Sequence, residues 1–327
     1  MTENQLNIRK SGRYTGVSAA VFAPASVANM ACGYDILGFA LERPGDRIVA
    51  RFSDAPGLRI VAITGAEGKL PYAVEKNTAG FAAARLLEHL GEKRGIELEI
   101  HKQMPFGSGL GSSAASAAGA VAAINELLGK PLAKTELLPF AVLGEQVADG
   151  AYHADNVAPS LLGGIVLIRS NAELDVLSLP VPPELYAAVL YPHVKILTRS
   201  AREILRPEVP LAQHIEQTGN LGGLITALFT NDYELIGRSL RDVVIEPQRA
   251  QLIPHFGQAQ MSAMEAGALG CSISGAGPSI FALCRGQKLA KKVGRAMFRI
   301  FSEAGVNSDL FLSPINAQGT QPIETGP

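Results

Sequence analysis

The stretch Pro105–Ala120, PFGSGLGSSAASAAGA, constrains this chain more than any other. Glycine and serine make poor helix interiors and poor strands, yet here they run without a break into alanines, the strongest helix formers. A loop carrying Gly107, Gly109 and Gly111 can turn several successive backbone N–H groups into one concavity. The helix behind it adds its unpaired first-turn donors and the positive end of its dipole. Together these make an anion cradle suited to phosphates. Small residues let the backbone approach the anion, and Ser112 and Ser113 offer hydroxyls to a phosphate oxygen or a magnesium ion. A Walker A loop would need a lysine after its glycines, and GxGxxG would need glycine where Ser112 stands, so the segment is neither. The competing reading is a flexible surface loop capping a helix, because Gly-Ser runs are common in linkers.

Length and composition narrow the setting. At 327 residues, 47% hydrophobic and 18% charged, the chain is long enough for two domains and a sizeable core. A formal net charge of -1 gives no general attraction for nucleic acid or an anionic membrane, so neither is expected as a partner and any phosphate must be gripped locally. Cys32, Cys271 and Cys284 form an odd set without CxxC spacing, which argues against a disulfide framework or a thiolate metal site and fits a reducing cytoplasm. The polar opening MTENQLNIRKSGRYTG has no apolar core of a signal peptide, and no stretch approaches the ~20 apolar residues of a membrane span.

Residues 1–17 read as a disordered arm. From 18 to 170 the chain alternates strand-like runs (VSAAVF, RIVARF, LRIVAI, IELEIHK, GGIVLIRS) with helical periodicity in TAGFAAARLLEHL, in SSAASAAGAVAAINELLG and in KTELLPFAVLGEQVADGA, where Pro139 must kink or start the helix. The Pro-containing, polar segment NAELDVLSLPVPPEL places a domain boundary near residue 170. From 171 to 315 come the strand LYAAVLY, helices within 211–240 and 257–268, strands CSISG and SIFALC around a Gly-rich turn, a basic helix and the strand SDLFLS. That order predicts helices on a mostly antiparallel sheet, an α+β lobe. Residues 316–327 read as a disordered tail.

Two further segments share the small-residue character of the first. APASVANMACGYDILGFAL puts Ser26, Asn29 and Asp35 in an apolar context, and SISGAGPSIFAL, Ser272–Leu283, makes a second glycine nest between strands. With these, the sequence resembles the GHMP small-molecule kinases: galactokinase, homoserine kinase, mevalonate kinase and phosphomevalonate kinase. The central signature PxGxGLGSSAA stands here as PFGSGLGSSAA, and all three signature segments occur in order between about 18 and 315. Within the group the homoserine kinase family is most similar. Its PxSxANxGxGFDxxG is matched at Pro24, Ser26, Asn29, Gly33, Asp35 and Gly38, with Ala31 for glycine and Tyr34 for phenylalanine. GAYHADNVAPSLLGG, TRSAREILRP and EPQRAQLIP are similar to segments of the same family.

The resemblance implies a two-domain GHMP fold of the α+β class: a ribosomal-protein-S5-like ATP-binding domain followed by a ferredoxin-like domain. It implies ATP and Mg2+ as cofactors, L-homoserine as substrate, and a homodimer. ATP would lie against Pro105, Gly107, Ser108, Gly109, Leu110, Gly111, Ser112 and Ser113, with Asn77 near the adenine, although Asn at a helix start is more commonly just an N-cap. Ser113 and Glu145 become the magnesium ligands, oxygen donors of the kind a hard cation prefers. Asp149, one turn on, competes with Glu145 for that role. Homoserine carries a carboxylate, an ammonium and a hydroxyl. Arg202 and Arg249 suit the carboxylate, Asp35 the ammonium, Asn29 the hydroxyl and His153 the amino-acid end, with Gly275 and Gly277 of the second nest beside the substrate. Where mevalonate kinase and galactokinase use an aspartate base, Asn156 stands; Asp155 is adjacent but expected to point elsewhere. Direct in-line attack without such a base follows. Rival readings are a sibling kinase for another small alcohol and a relative that binds nucleotide without turnover.

Overall fold

The structure, a computed structural model, describes residues 17–150, 152–196 and 198–324. The expected N-terminal arm lies outside them except for Val17. The first long segment forms β1 (Ser18–Ala28) and β2 (Leu37–Ser53), an antiparallel pair whose register shifts between Pro24 and Ser26. Between them Asn29, Met30 and Ala31 have φ of 72°, 42° and 59°, a left-handed turn closed by the Gly33 N–H donating to the Asn29 carbonyl at 2.9 Å. Ala31, which replaces the glycine of the family pattern, thus differs in more than size: it occupies a backbone region that favours glycine.

β3 (Leu58–Thr64), α1 (Thr78–Leu90) and β4 (Gly95–His101) make a crossover unit, with β4 parallel to β3 and antiparallel to β2. Then come α2 (Ser112–Leu127), α3 (Leu138–Asp149) with Pro139 in its first turn, and α4 (Val157–Leu162). Helix α2 is apolar on all sides and buried on all sides, the outcome expected for such a pattern. Its alanines allow α1, α3 and the sheet to close around it. A Cβ on Gly119 would lie 2.5 Å from Ile48 Cγ1 of β2, which shows how near the helix comes to the strand.

β5 (Ile165–Ser170) and β6 (Asp175–Leu179) form a hairpin hydrogen-bonded through β5 to the start of β2, completing a sheet in which β1, β2, β4 and β3 lie in that order with β5 and β6 attached. The boundary expected near 170 is therefore too early. The polar residues around 171–174 make a hairpin turn, and the chain leaves the first sheet only after Leu179.

The second half contains β7 (Leu185–Pro192), α5 (Thr198–Glu203), α6 (Leu211–Thr230), α7 (Tyr233–Ser239), α8 (Glu246–Arg249) and α9 (Phe256–Ala266). It closes with β8 (Gly270–Ile273), β9 (Ile280–Arg285), α10 (Gln287–Glu303) and β10 (Ser308–Pro314), in an antiparallel sheet of order β10-β7-β9-β8. Both faces of this sheet are buried. Leu185, Ala187, Val189, Phe281 and Leu283 meet Val27, Leu37, Phe39 and Leu41 of the first sheet, while Leu190, Ile280, Ala282 and Cys284 pack under α9 and α10. Phe39 and Phe281 stack edge to face across the two sheets, ring centres 5.8 Å apart. An aromatic contact of this kind adds about 1 kcal/mol to the burial itself.

The tail departs from the expected disorder. Gln321–Ile323 form β11, antiparallel to β1 along Ala20–Phe22, and the buried Thr320 donates to the Ser160 carbonyl at 2.9 Å. Its polar composition conceals this because the stabilising bonds are main-chain bonds to an open sheet edge.

Valine at Gly119 overfills the α2 contact with the sheet. Gly119→Val is expected to lose about 1–3 kcal/mol and several degrees of Tm in thermal denaturation, with the nucleotide affinity of the folded fraction unchanged.

Candidate active site

The Gly-rich loop lies between β4 and α2, and its hydrogen bonds tie it to both halves of the chain. Ser26 N donates to the Leu110 carbonyl at 3.1 Å, Ser279 N to the Ser108 carbonyl at 3.1 Å, and Ser274 Oγ to the Gly109 carbonyl at 2.7 Å. Gly109 has φ 79°, and a Cβ there would meet the carbonyls of Ser274 and Gly277 at 2.7 Å. The glycine nest of the second half is thus pressed against the loop, and Gly277 serves this backbone contact. Gly111 is boxed in by Ser26 Oγ and Asn156 Oδ1, whereas Gly107 faces open space. Leu110 is buried in the core shared by the two halves, Pro105 is partly buried at the loop entrance, and Phe106 is exposed.

The cradle is polar and incompletely satisfied. Gly111 is the N-cap of α2 and has no side chain to cap the first turn. The buried hydroxyls of Ser108 and Ser112 have no hydrogen-bond partner among the described residues. Buried hydroxyls are ordinarily paired, so two orphans beside an uncapped helix start fit an absent anion. In the same first turn Ser113 Oγ donates to Glu145 Oε1 at 2.5 Å. This all-oxygen pair suits magnesium. Among the described residues no cluster of three His, Cys, Asp or Glu could hold a metal alone, so an ion here would take its other ligands from nucleotide and water. Asp149 belongs to the same helix, but its side chain is outside the described ones.

A second polar cluster lies at the left-handed turn. Asn29 Nδ2 donates to the Gly275 carbonyl at 2.9 Å, and Asn29 Oδ1 accepts from Asp35 N at 3.1 Å. Arg202 of α5 forks onto the two carboxylate oxygens of Asp35 at 3.3 Å each, and His153 Nε2 is 3.2 Å from Arg202 and 3.6 Å from Asp35. His153 Nδ1 is buried with no partner among the described residues. Arg249 is almost wholly buried and donates to the carbonyls of Ala201 at 2.9 Å and Gly275 at 3.0 Å. The Gly275 carbonyl therefore joins Asn29, on the first half, to Arg249 on the second.

Tyr34 escaped the sequence reading, where it counted only as a departure from phenylalanine. Its hydroxyl accepts from Arg249 at 3.2 Å, and its ring centre is 5.0 Å from the Arg249 guanidinium and 5.9 Å from that of Arg202. Burial, together with the Asp35 charge, raises its phenol pKa. The ring brings two like-charged guanidiniums to one place. A hydroxylated aromatic inside an apolar motif is the signal that could have found it.

The N-cap reading of Asn77 holds, whereas Asn156 and Asp155 take surroundings other than those expected. Asn77 is a full N-cap, accepting from Ala79 N at 3.0 Å and Gly80 N at 3.3 Å and donating to the Pro71 carbonyl at 2.8 Å. Asn156 heads α4 without capping it and instead accepts from Ser26 Oγ at 2.9 Å. Asp155 does not point away: it is buried within electrostatic reach of Asp35, Glu145 and Arg202, and burial, reinforced by the Asp35 charge, pushes its carboxyl up to about 7. The turn before α4 is tight enough to send both neighbours inward.

Comparison with known proteins agrees with this geometry. The model described as GHMP kinases N terminal domain matches residues 77–164, and that described as GHMP kinases C terminal matches 224–303. The chain belongs to the GHMP kinases. It is 47% identical over 313 residues to the homoserine kinase of Chlorobium phaeobacteroides, covering 92% of this chain and 98% of that one. It is 40% identical to that of Xylella fastidiosa over 307 residues, covering 94% of each. The crystal structure of homoserine kinase from Cytophaga hutchinsonii superposes with a TM-score of 0.93 at 52% identity, covering 95% of this chain and 99% of that one. The crystal structure of L. major mevalonate kinase shares the fold alone, with a TM-score of 0.70 at 16% identity, covering 93% of this chain and 98% of that one. Within the GHMP kinases, this chain is a member of the homoserine kinase family.

Asp155 gives the free enzyme a pH signature. Its folded pKa of about 7 lies above the ~3.9 of an unfolded aspartate, so between these values the folded state holds a proton the unfolded state lacks. Stability is greatest below that window, falls as pH rises through it and levels off above. Asp155→Asn is expected to flatten the decline in Tm between pH 5 and 8; an equally steep decline in the variant would assign it to another group.

Proposed function

We propose that this chain transfers the γ-phosphoryl group of ATP to the hydroxyl of L-homoserine, forming O-phospho-L-homoserine, a step towards threonine. The observation that carries the reading is the Asp35–Arg202 pair beside the phosphate-type cradle. A zwitterionic amino acid matches that pair charge for charge: its ammonium takes Asp35, its carboxylate takes Arg202, and one internal ion pair becomes two intermolecular ones. Arg249 holds the floor of the pocket through its backbone contacts and adds positive potential. Asn29 orients the hydroxyl, and His153 borders the amino-acid end.

In this reading the backbone from Pro105 to Ser113 holds the triphosphate through N–H donors and the Ser108 and Ser112 hydroxyls. Ser113 and Glu145 would hold Mg2+, which when bound neutralises charge on the phosphates. Phosphoryl transfer needs alignment and charge compensation more than covalent help, so the residues act mainly as holders. Asn156 is neutral and engaged with Ser26, and the hydroxyl proton passes to the transferred phosphate late in a direct in-line displacement. The cytoplasm suits an ATP-consuming enzyme with three buried free thiols.

ADP release measured over a panel of small alcohols and amino acids tests the substrate. L-Homoserine should exceed homoserinol, which lacks the carboxylate. Turnover of mevalonate or a sugar instead would favour a sibling kinase, and nucleotide binding without turnover a non-catalytic relative. Arg202→Ala should erode the preference by raising KM for homoserine alone. Arg202 is half exposed, so the low end of the cost of truncating a charged pair applies, about 2 kcal/mol or roughly thirtyfold. An unchanged preference ratio would remove Arg202 from the substrate site.

Two carboxylate variants separate the roles within the reaction. Glu145→Gln should lower kcat by about a hundredfold or more, the scale of losing charge compensation at the transition state. Asp155→Asn should keep kcat within about tenfold; a loss near a thousandfold would make Asp155 the general base and overturn direct transfer.

A further inference from the structure

Lys102 and Asp46 lie outside all three signature segments, yet they form a fully buried ion pair beneath the Gly-rich loop, with side chains 2% and 0% exposed. Lys102 follows β4, and Asp46 lies opposite it on β2, next to the paired Arg47 and His101. Besides Asp46, the Lys102 ammonium donates to the Ser112 carbonyl at 2.7 Å and to Ser116 Oγ at 2.8 Å. Asp46 Oδ1 accepts from Gln103 N at 2.9 Å and Met104 N at 3.4 Å. The carboxylate thus holds the chain entering the loop, and the ammonium holds the first residue of the helix leaving it. A cation at a helix N-terminus opposes the helix dipole, and a buried ion pair seldom stabilises a fold more than apolar residues of the same volume would. Neither consideration of stability explains the pair.

We infer that Lys102 and Asp46 are positioning residues for the nucleotide: the pair clasps the two ends of the 105–111 loop and fixes the spacing at which its N–H groups and the Ser108 and Ser112 hydroxyls meet the phosphates. The inference rests on reading that loop as the ATP phosphate cradle. Both side chains are buried beneath the loop. Their geometry reaches the ligand only through the loop, so their loss falls on ATP and spares homoserine.

Single variants leave one buried charge unpaired and lose stability for that reason alone. The decisive protein is therefore the double variant Lys102→Met with Asp46→Asn. Methionine fills the volume of the lysine stem. Asparagine keeps an oxygen for Gln103 N and Met104 N and turns an amide towards Ser116. Steady-state kinetics and calorimetric titration with ATP are compared with Tm for wild type, Lys102→Met and the double variant. Lys102→Met should lower Tm and raise KM for ATP at least tenfold, with KM for homoserine within twofold. The double variant should recover most of the Tm while its KM for ATP stays at least tenfold high. If KM for ATP returns to the wild-type value along with Tm, the pair is structural and the inference is overturned. Ser108→Ala and Ser112→Ala test the underlying reading separately. Each removes a hydroxyl that has no partner among the described residues, so Tm should hold while ATP affinity falls. Unchanged ATP affinity in both would reject the cradle itself, whatever the clasp does.

Discussion

The site depends on one backbone contact, that of the Gly109 peptide against the Ser274–Gly277 nest. No Cβ fits between them. Every polar arrangement around it follows from this closeness. The nest can grip the loop through Ser274 and Ser279 only because both strands of backbone are bare, and the same nest offers its Gly275 carbonyl to Asn29 and Arg249. The Gly-rich loop and the turn carrying Asn29 and Asp35 are therefore joined through a single element of the second half.

Around that contact the electrostatics divide into two fields. The loop and the N-terminus of α2 present donors, among them two buried hydroxyls without a partner among the described residues. The turn carrying Tyr34 and Asp35 presents a carboxylate held by an exposed arginine and an aromatic ring that draws in a second, buried one. Asp155 is buried within reach of both carboxylates, and burial first, then the charges of Asp35 and Glu145, retains its proton far above the usual range. Two such fields side by side suit a transfer reaction governed by alignment and charge compensation.

Much of this was legible in the sequence. PFGSGLGSSAA fixed the loop and the buried helix through local residue preferences, and the spacing of Asn29, Asp35 and Arg202 within similar segments led to residues that the structure brings together. What stayed hidden depends on distant partners. The Lys102–Asp46 pair joins positions far apart in the chain, and neither residue is unusual where it stands. Asp155 could not be placed because the direction of a side chain in a tight turn depends on what packs above it. The tail looked disordered because a strand held by main-chain bonds alone carries no compositional signal, and the boundary near 170 failed because a polar hairpin turn resembles a linker. Tyr34 and Ala31 were visible as departures, but their meaning lay in the arginines and the positive φ that only the fold supplies.

The joining of loop and nest also makes the interface its own reporter. Main-chain amides bridge the halves, among them Gly275 N to the Ala28 carbonyl and Ser279 N to the Ser108 carbonyl. Both leave their acceptors only when the second sheet moves off the first, so the rate at which these two protons exchange with solvent measures how often the halves part. Because the Ser108 acceptor belongs to the loop, any ligand that stiffens the loop slows the exchange of Ser279 on the far side of the interface. Occupancy of the cradle and cohesion of the two halves are thus one equilibrium, and a single amide reads both.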